Sequence, residues 1–194
     1  MRRFVRTDPS SEETVELAKV VQLAELLEQY INENEAEIDE VHVFRAQSGA
    51  VQGVISRLLK DGLGFGEEVV IRPAHGLVTR ARPDFFYALS PGRGVIAEVE
   101  RGGTTTNNHD LKDLWKAHIS PSAQHLFLIV PVVNWREDGS VREKPFQLVC
   151  HRLAAFFGDP RREVDVLSVH VLGYGGRALS DPVAFDSQIS DSQE

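Results

Sequence analysis

Three acidic residues near the middle of the chain have types and spacing suited to chemistry. Asp84 precedes one apolar run, and Glu98 and Glu100 close another. Because side chains alternate along a strand, Glu98 and Glu100 lie on one face of it and Val99 lies on the other. Carboxylates at the end of so apolar a strand are costly to desolvate unless a positive group meets them. That group is either a divalent cation or an arginine nearby in the sequence. The nearby arginines are Arg80, Arg82 and Arg101.

The composition is typical of a globular protein in a reducing compartment. At 194 residues, 42% hydrophobic and 26% charged, the chain is long enough to bury a sizeable core in one domain, or in one domain with an added arm. The single cysteine, Cys150, excludes an internal disulfide framework and a cysteine-based zinc cluster. No segment approaches the ~18 to 20 consecutive apolar residues of a membrane span, and the first residues lack the apolar core of a signal peptide. We therefore expect a cytoplasmic protein that does not associate with membranes.

Negative charge is concentrated near the N-terminus. The net charge is −8, which taken over the whole chain argues against a nucleic-acid-binding protein. Residues 1–40, however, contain 11 acidic and 4 basic residues, whereas residues 41–194 contain 18 acidic and 17 basic residues. The larger part of the chain is therefore near neutral, which permits a basic face on it.

The first 40 residues predict a helical arm. A serine cap followed by two glutamates is typical of a helix start, and apolar residues then recur at helical spacing up to Ile31. We expect a helix over 11–32, followed by an acidic and exposed stretch over 32–40. So wide an apolar stripe must pack either on the body of the domain or on a second copy of the chain, and the second alternative predicts a homodimer. The chain then divides into an acidic helical arm at 1–40, a core at 41–174 and a flexible polar tail at 175–194.

The core alternates strands and helices. A helix ended by glycines precedes three strands joined by short loops, which most simply form an antiparallel meander. A helix, an apolar strand buried on both faces, a charged loop, a helix and a last strand follow. This order predicts the α/β class, with a mixed sheet flanked by helices. The expected strands are 41–44, 67–72, 80–89, 95–101, 126–133 and 164–172, the expected helices are 48–63, 108–118 and 145–157, and the charged loop is 134–144.

The stretch 48–133 resembles the catalytic core of the PD-(D/E)XK nuclease superfamily. That core is a helix, a three-strand meander, a helix and a further strand, with an aspartate on the second strand and an acid-x-lysine motif on the third. Pro83-Asp84 matches the first element and Glu98-Val99-Glu100 matches the second, except that glutamate stands where lysine is usual. The Glu-x-Glu form is similar to that of a minority of type II restriction endonucleases. The resemblance therefore implies a restriction endonuclease-like fold and a DNA endonuclease.

The resemblance also implies roles for individual residues. Asp84, Glu98 and the backbone carbonyl of Val99 would hold Mg²⁺ or Mn²⁺, for which carboxylate oxygens are suitable hard ligands. Glu100 would replace the lysine as a base or act as a further ligand. A lysine that has moved in from elsewhere is the alternative, and Lys112 on the following helix is the candidate for it.

The segments on either side of the strands would complete such a site. Gln52 stands on the first core helix, where the family frequently has an acid, and its amide would hold a metal-bound water. The loop and helix after the third strand would face DNA, although a capped polar loop and a solvated helix face are the plain alternatives. We expect the opposite face of that helix, with Leu114, Trp115 and His118, to pack on the core. The residues expected to contact DNA are Arg101, Thr104, Thr105, Asn107, Lys112 and Lys116.

Two other classes of protein fit the same residues. The first is a nuclease-fold module without catalysis that binds DNA or another protein, in which the missing lysine marks loss of activity. The second is an interaction protein whose acidic arm mediates dimerisation or mimics nucleic acid. The sequence carries no motif of the other enzyme classes considered, because its seven histidines lack a zinc-site spacing and no phosphate-binding glycine loop joins a strand to a helix.

Overall fold

The fold is built on a mixed β-sheet with helices on both faces. The computed structural model describes residues 1–45, 47, 49–71, 82–158 and 165–176. The strands are β1 (Arg2–Val5), β2 (Gly66–Glu67), β3 (Phe85–Ser90), β4 (Arg93–Val99), β5 (His125–Pro131), β6 (Asn134–Trp135), β7 (Val141–Glu143) and β8 (Ser168–Tyr174). The helices are α1 (Ser11–Glu33), α2 (Glu35–Val41), α3 (Gly49–Ser56, continued by a π-helical turn over Arg57–Gly62), α4 (His109–Ile119) and α5 (Pro145–Phe157).

Six strands form the main sheet in the order β1-β8-β5-β4-β3-β2. The strands β4, β5 and β8 run parallel, and the remaining pairs are antiparallel. The predicted meander β2-β3-β4 is therefore confirmed. Parallel neighbours need a long crossover, and α4 supplies it between β4 and β5. The α/β class and the mixed sheet flanked by helices are as expected.

The turn between β3 and β4 sets the register that matters for the acidic residues. Phe85 pairs with Ala97 and Phe86 pairs with Ile96, so the residue before Phe85 lies beside Glu98. At the start of β4, a Cβ on Gly94 would come within 2.5 Å of the Phe86 ring, which explains why glycine stands there. The close contact at Gly94 helps to hold the two strands in this register.

Two apolar cores lie on opposite faces of the sheet, and β4 contributes to both. Val95, Ala97 and Val99 belong to the core that contains residues of α1, α2 and α3. Ile96 belongs to the core that contains residues of α4 and α5. Glu98, two residues beyond Ile96, therefore points to the α4 side of the sheet.

Helix α1 packs its apolar stripe on the sheet of the same chain. Ser10 and Glu13 form a capping box at its start, as the sequence predicts. The buried side chains of α1 share one core with Phe127 and Ile129 of β5. Most of the apolar stripe is therefore covered by the body of the same chain. Val15 and Leu26 remain exposed, and the homodimer stays a prediction. None of the helices in the described ranges is long and apolar enough to cross a membrane.

Several element predictions were wrong, and each has a local reason. The strand expected at 41–44 is not formed, because α2 occupies Glu35–Val41 and buries Ile38 against the core; the acidic stretch 32–40 is thus partly inside. The charged loop at 134–144 contains the hairpin β6–β7, and the short edge strand β1 was not expected. The strand at 67–72 is reduced to Gly66–Glu67. The predictions for Arg80 and for most of the tail fall outside the described residues.

Leu27 of α1 tests whether this helix is part of the fold. Leu27 is 0% exposed, whereas Val15 on the same helix is 75% exposed. We expect Leu27→Ala to lower the free energy of unfolding by about 2–5 kcal/mol, because it opens a cavity in the core. Val15→Ala, the matched control, should change it by no more than about 0.5 kcal/mol. Urea denaturation followed by circular dichroism measures both. If Leu27→Ala changes the free energy of unfolding as little as Val15→Ala does, α1 is a dispensable arm.

Candidate functional site

Asp84 and Glu98, which are 14 positions apart in the chain, meet across β3 and β4. The Asp84 carboxylate accepts a hydrogen bond from the Val99 amide at 3.0 Å (Oδ2), and the Asp84 amide donates to Oε2 of Glu98 at 3.3 Å. These contacts follow from the register of the meander. The three residues that the resemblance assigns to a metal thus lie together at one end of the strand pair.

The positive group that meets Glu98 is a lysine on α4. Lys116 Nζ lies 2.5 Å from Oε1 of Glu98 and 3.1 Å from Oδ1 of Asp113. Both carboxylates are buried, at 3% and 4% exposed for the whole residues. Of the three arginines considered from the sequence, Arg82 and Arg101 are described, and neither contacts Glu98. Arg101 donates to the carbonyl of Val43, and Arg82 pairs with Glu68. The structure therefore shows a side-chain cation where the sequence left open a metal or an arginine.

Burial and mutual repulsion keep protons on this cluster near neutral pH. Burial, with the Asp113 carboxylate next, raises the pKa of Glu98 to about 8. Burial also raises the pKa of Asp113 to about 7, with Lys116 opposing the shift and Glu100 adding to it. Burial lowers the pKa of Lys116, but the carboxylates of Asp113 and Glu98 outweigh it, so that this pKa lies above its ordinary value. Two carboxyls share one ammonium and titrate as a pair.

One polar atom of the cluster lacks a partner. Oδ2 of Asp113 is buried and accepts no hydrogen bond from any described residue. An unpaired buried carboxylate oxygen is costly, so it marks a position where a donor or a cation would be stabilised. Together with Oδ1, it gives the cluster more acceptor capacity than Lys116 alone satisfies.

Glu100 is held by a second residue of α4. Nδ1 of His109 lies 2.8 Å from Oε2 of Glu100, and the Tyr174 hydroxyl donates to the Glu100 carbonyl at 2.8 Å. His109, Asp113 and Lys116 are spaced four and three residues apart, so they share the face of α4 that looks toward β4. The side-chain partners of Glu98 and Glu100 thus come from this single helical face, and β8 adds the Tyr174 hydroxyl at the Glu100 carbonyl.

The loop before α4 is pinned to α5. Arg152 donates to both carboxylate oxygens of the fully buried Asp110, at 2.9 and 3.2 Å, and to the carbonyl of Thr105 at 3.2 Å. Thr104 and Thr105 are buried, and the Thr105 hydroxyl donates to Glu143 at 3.3 Å. The two threonines predicted to contact DNA therefore make contacts inside the protein, which agrees with the plain alternative of a structured loop. Asn107 is exposed.

The structure places the remaining predicted residues apart from the carboxylates or on the surface. Lys112 is exposed on α4, one turn before Lys116, and it is Lys116 that reaches the acids. Gln52 is half-buried on α3, which covers the face of the sheet opposite to α4. The Gln52 side chain makes no hydrogen bond with a described residue. Arg101 lies two residues beyond the end of β4 and donates to the carbonyl of Val43.

Asp113 is a site residue that sequence reasoning did not assign. The expected buried face of α4 included Trp115 and His118, and this was wrong, because Trp115 is 56% exposed and His118 is exposed. The buried positions are instead Asp110, Asp113, Leu114 and Ala117. Their spacing of three and four residues is a regular helical face, so the available signal was a face that contains two aspartates.

The oxygen donors suit a hard divalent cation by their chemistry. Carboxylates that raise one another's pKa, with one buried oxygen unpaired, are stabilised by added positive charge. Within the described ranges, however, no group of three or more histidine, cysteine, aspartate or glutamate side chains is arranged as a metal cluster. In this arrangement Lys116 lies between Glu98 and Asp113.

Asp113→Asn should stabilise the protein more at about pH 8 than at about pH 5. Since the pKa of Asp113 rises on folding from 3.8 to about 7, its stabilising contribution is present below the lower value and is lost as the pH rises through the upper one. Asparagine cannot ionise, so it avoids the cost of burying a charged carboxylate at the higher pH. We therefore expect the melting temperature of Asp113→Asn to exceed that of the parent by about 2–4 °C at the higher pH and by less at the lower pH. Differential scanning calorimetry measures both.

The exposed Asp61 supplies the control for this prediction, since Asp61→Asn removes a carboxylate without a buried partner. Its melting temperature should follow that of the parent protein at both pH values. A destabilised Asp113→Asn at the higher pH would mean that the ion pair with Lys116 outweighs the cost of burial.

Comparison with known proteins adds no assignment to this geometry. No protein-family model matches the chain, and no curated protein is significantly similar to it. What can be said of function therefore depends on the residues themselves and on their arrangement.

Proposed function

We propose that this chain is a metal-dependent DNA endonuclease of the PD-(D/E)XK type, restriction endonuclease-like in its core. The observation that carries the proposal is the meeting of Asp84, Glu98 and the Val99 backbone beside Lys116. The order helix, three-strand antiparallel meander, helix and parallel strand, from α3 to β5, supports it because the nuclease core has the same order.

Asp84, Glu98 and the carbonyl of Val99 are the residues that would hold Mg²⁺ or Mn²⁺. A divalent cation, when bound, supplies charge neutralisation at the scissile phosphate and lowers the pKa of a water molecule. Asp113 lies close enough to Lys116 to adjust its position, since its Oδ1 is 3.1 Å from Nζ. Positive charge at this point would also lower the pKa values of Glu98 and Asp113, which burial holds high.

Lys116 takes the place that the family gives to the lysine of its acid-x-lysine motif. Glu100 stands at the motif position, but the ammonium of Lys116 reaches Glu98 from α4 at 2.5 Å. This replaces Lys112 as the candidate for the moved lysine. In the proposed reaction Lys116 stabilises charge that develops on the phosphate oxygens and orients the attacking water. Glu100 holds His109, whose ring is the nearby proton acceptor.

A nuclease-fold module without catalysis is the second candidate function. It is favoured by the position of Lys116 between Glu98 and Asp113, where the ammonium itself neutralises the acids. Such a module would bind DNA or another protein and would not need a metal. The two functions differ in one measurable respect, because only the nuclease requires Asp84 for an effect of added Mg²⁺.

Asp84→Asn and Glu98→Gln test the nuclease assignment. We expect each to reduce cleavage of supercoiled plasmid in Mg²⁺ or Mn²⁺ at least about 100-fold, because each removes a carboxylate from the proposed metal site. Asp61→Asn is the charge-matched control and should cleave as the parent does. Agarose gels give the rate, and calorimetric titration with Mn²⁺ gives metal binding. If the parent neither cleaves DNA nor binds metal, the nuclease assignment is wrong and the second candidate, a module without catalysis, remains.

Lys116→Met and Lys112→Met separate the two candidate lysines. Both lie on α4 one turn apart, but only Lys116 contacts the carboxylates. We expect Lys116→Met to lower kcat by roughly 100-fold with KM little changed, because the lost contact acts at the developing charge. Lys112→Met should leave kcat within about twofold. Circular dichroism at about pH 6 confirms folding, and a larger loss from Lys112→Met would restore Lys112 as the catalytic lysine.

A further inference from the structure

A small pocket lined by arginines lies beside the end of β4. It is formed by the segment after α2, the segment after β4 and the hairpin β6–β7, and its volume is about 170 Å³. Arg45, Arg101 and Arg142 line it together with the rings of Phe44 and Trp135. Among the described residues, its lining includes no aspartate or glutamate. An exposed site with three guanidinium groups and no acid favours an anion.

Two of the three arginines of this pocket have no acidic partner among the described residues. None of the ion pairs among the described residues includes Arg45 or Arg142. Arg45 lies over the ring of Phe44, with the guanidinium carbon 5.1 Å from the ring centroid. The carbonyl of Val43 accepts a hydrogen bond from Arg101 at 2.5 Å, which fixes one guanidinium at the pocket. Planar guanidinium forks match the oxygens of a phosphate.

Glu143 is one acid next to this pocket, since its Oε1 accepts a hydrogen bond from the lining residue Asn134 at 2.8 Å. Two further acids lie in an adjoining depression. That depression has a volume of about 550 Å³ and shares His42, Phe44 and Trp135 with the arginine pocket. Asp39 and Glu137 lie along it. Positive charge is thus concentrated in the arginine pocket. The wider depression beside it has space for the rest of a ligand that is larger than this pocket.

Size and position select the ligand. A pocket of about 170 Å³ is smaller than the ~300–1,000 Å³ that usually holds a whole cofactor, so it fits a single phosphate or a single base. Arg101 directly follows Glu100 in the chain, just beyond the end of β4 at Val99. We propose that the arginine pocket binds a phosphate group of the DNA strand on which the carboxylates act, with Trp135 beside the attached base. This inference rests on the proposed function.

The test measures DNA binding without cleavage. Fluorescence anisotropy of a labelled oligonucleotide in EDTA, over a series of salt concentrations, is compared for the parent, Arg45→Gln and Arg142→Gln. Each variant should bind roughly tenfold more weakly and lower the slope of log affinity against log salt by about 1, because one phosphate contact is lost. Arg2→Gln, the same change at an exposed arginine of the edge strand β1, is the control.

Trp135 provides a direct readout of the pocket. The protein has two tryptophans, and Trp115 is 56% exposed, so Trp115→Phe leaves Trp135 as the reporter. We expect its emission to change on addition of DNA, and to change less in Arg142→Gln. If inorganic phosphate gives the same change while the arginine variants bind DNA as Arg2→Gln does, the pocket takes free phosphate and the DNA assignment is overturned.

The outcome distinguishes this inference from the proposed function. If the parent does not cleave DNA but the arginine variants lose affinity and salt dependence relative to Arg2→Gln, the pocket stands and the nuclease falls. If the parent cleaves DNA and the arginine variants bind with unchanged affinity and slope, the nuclease stands and the pocket is overturned.

Discussion

The contact of one ammonium group with two buried carboxylates is the interaction on which the centre of this protein depends. Glu98 lies on β4, which is buried along almost its whole length, and Asp113 lies on the buried face of α4. Either acid alone would be expensive to bury in an ionised form, and together they repel each other. Lys116 lies within 3.1 Å of both and makes the arrangement tolerable. Protonation near neutral pH, which the raised pKa values of both carboxyls allow, reduces the cost further.

This interaction requires that α4 and β4 be positioned accurately, and two structural features provide that. The parallel pairing of β4 with β5 makes α4 a crossover that must lie on one face of the sheet. The ion pair of Asp110 with Arg152 then fixes the first turn of α4 to α5. Breaking a buried pair of this kind is usually costly, because one charge is left uncompensated. The loop and the helix therefore have little freedom to turn the acids and Lys116 away from each other.

Much of the fold could be read from the sequence, whereas the polar contacts could not. The helices α1, α4 and α5 were predicted to within one residue of their observed ends, and the order of the meander strands was predicted although their ends were not. The convergence of Asp84 with Glu98 follows from the short turn between β3 and β4. Asp113 was missed because the expected buried face of α4 was that of Leu114, Trp115 and His118, whereas Asp113 is buried beside Lys116. The strand predicted at 41–44 was wrong because Val41 is the last residue of α2, a helix that the sequence did not indicate, and Val43 beyond it is exposed.

The edge of the sheet has a consequence for folding and aggregation. Arg2 pairs with Val171 and Val5 with Ser168, so β1 and β8 are partners from nearly opposite parts of the chain. Such a long-range pairing pays a large loop-closure entropy and is expected to form late. Until β1 docks, β8 presents the open edge of an apolar strand that is buried along most of its length. Open apolar edges pair readily with other chains. The short strand β1, only four residues long, therefore protects the sheet from self-association by covering the edge of β8.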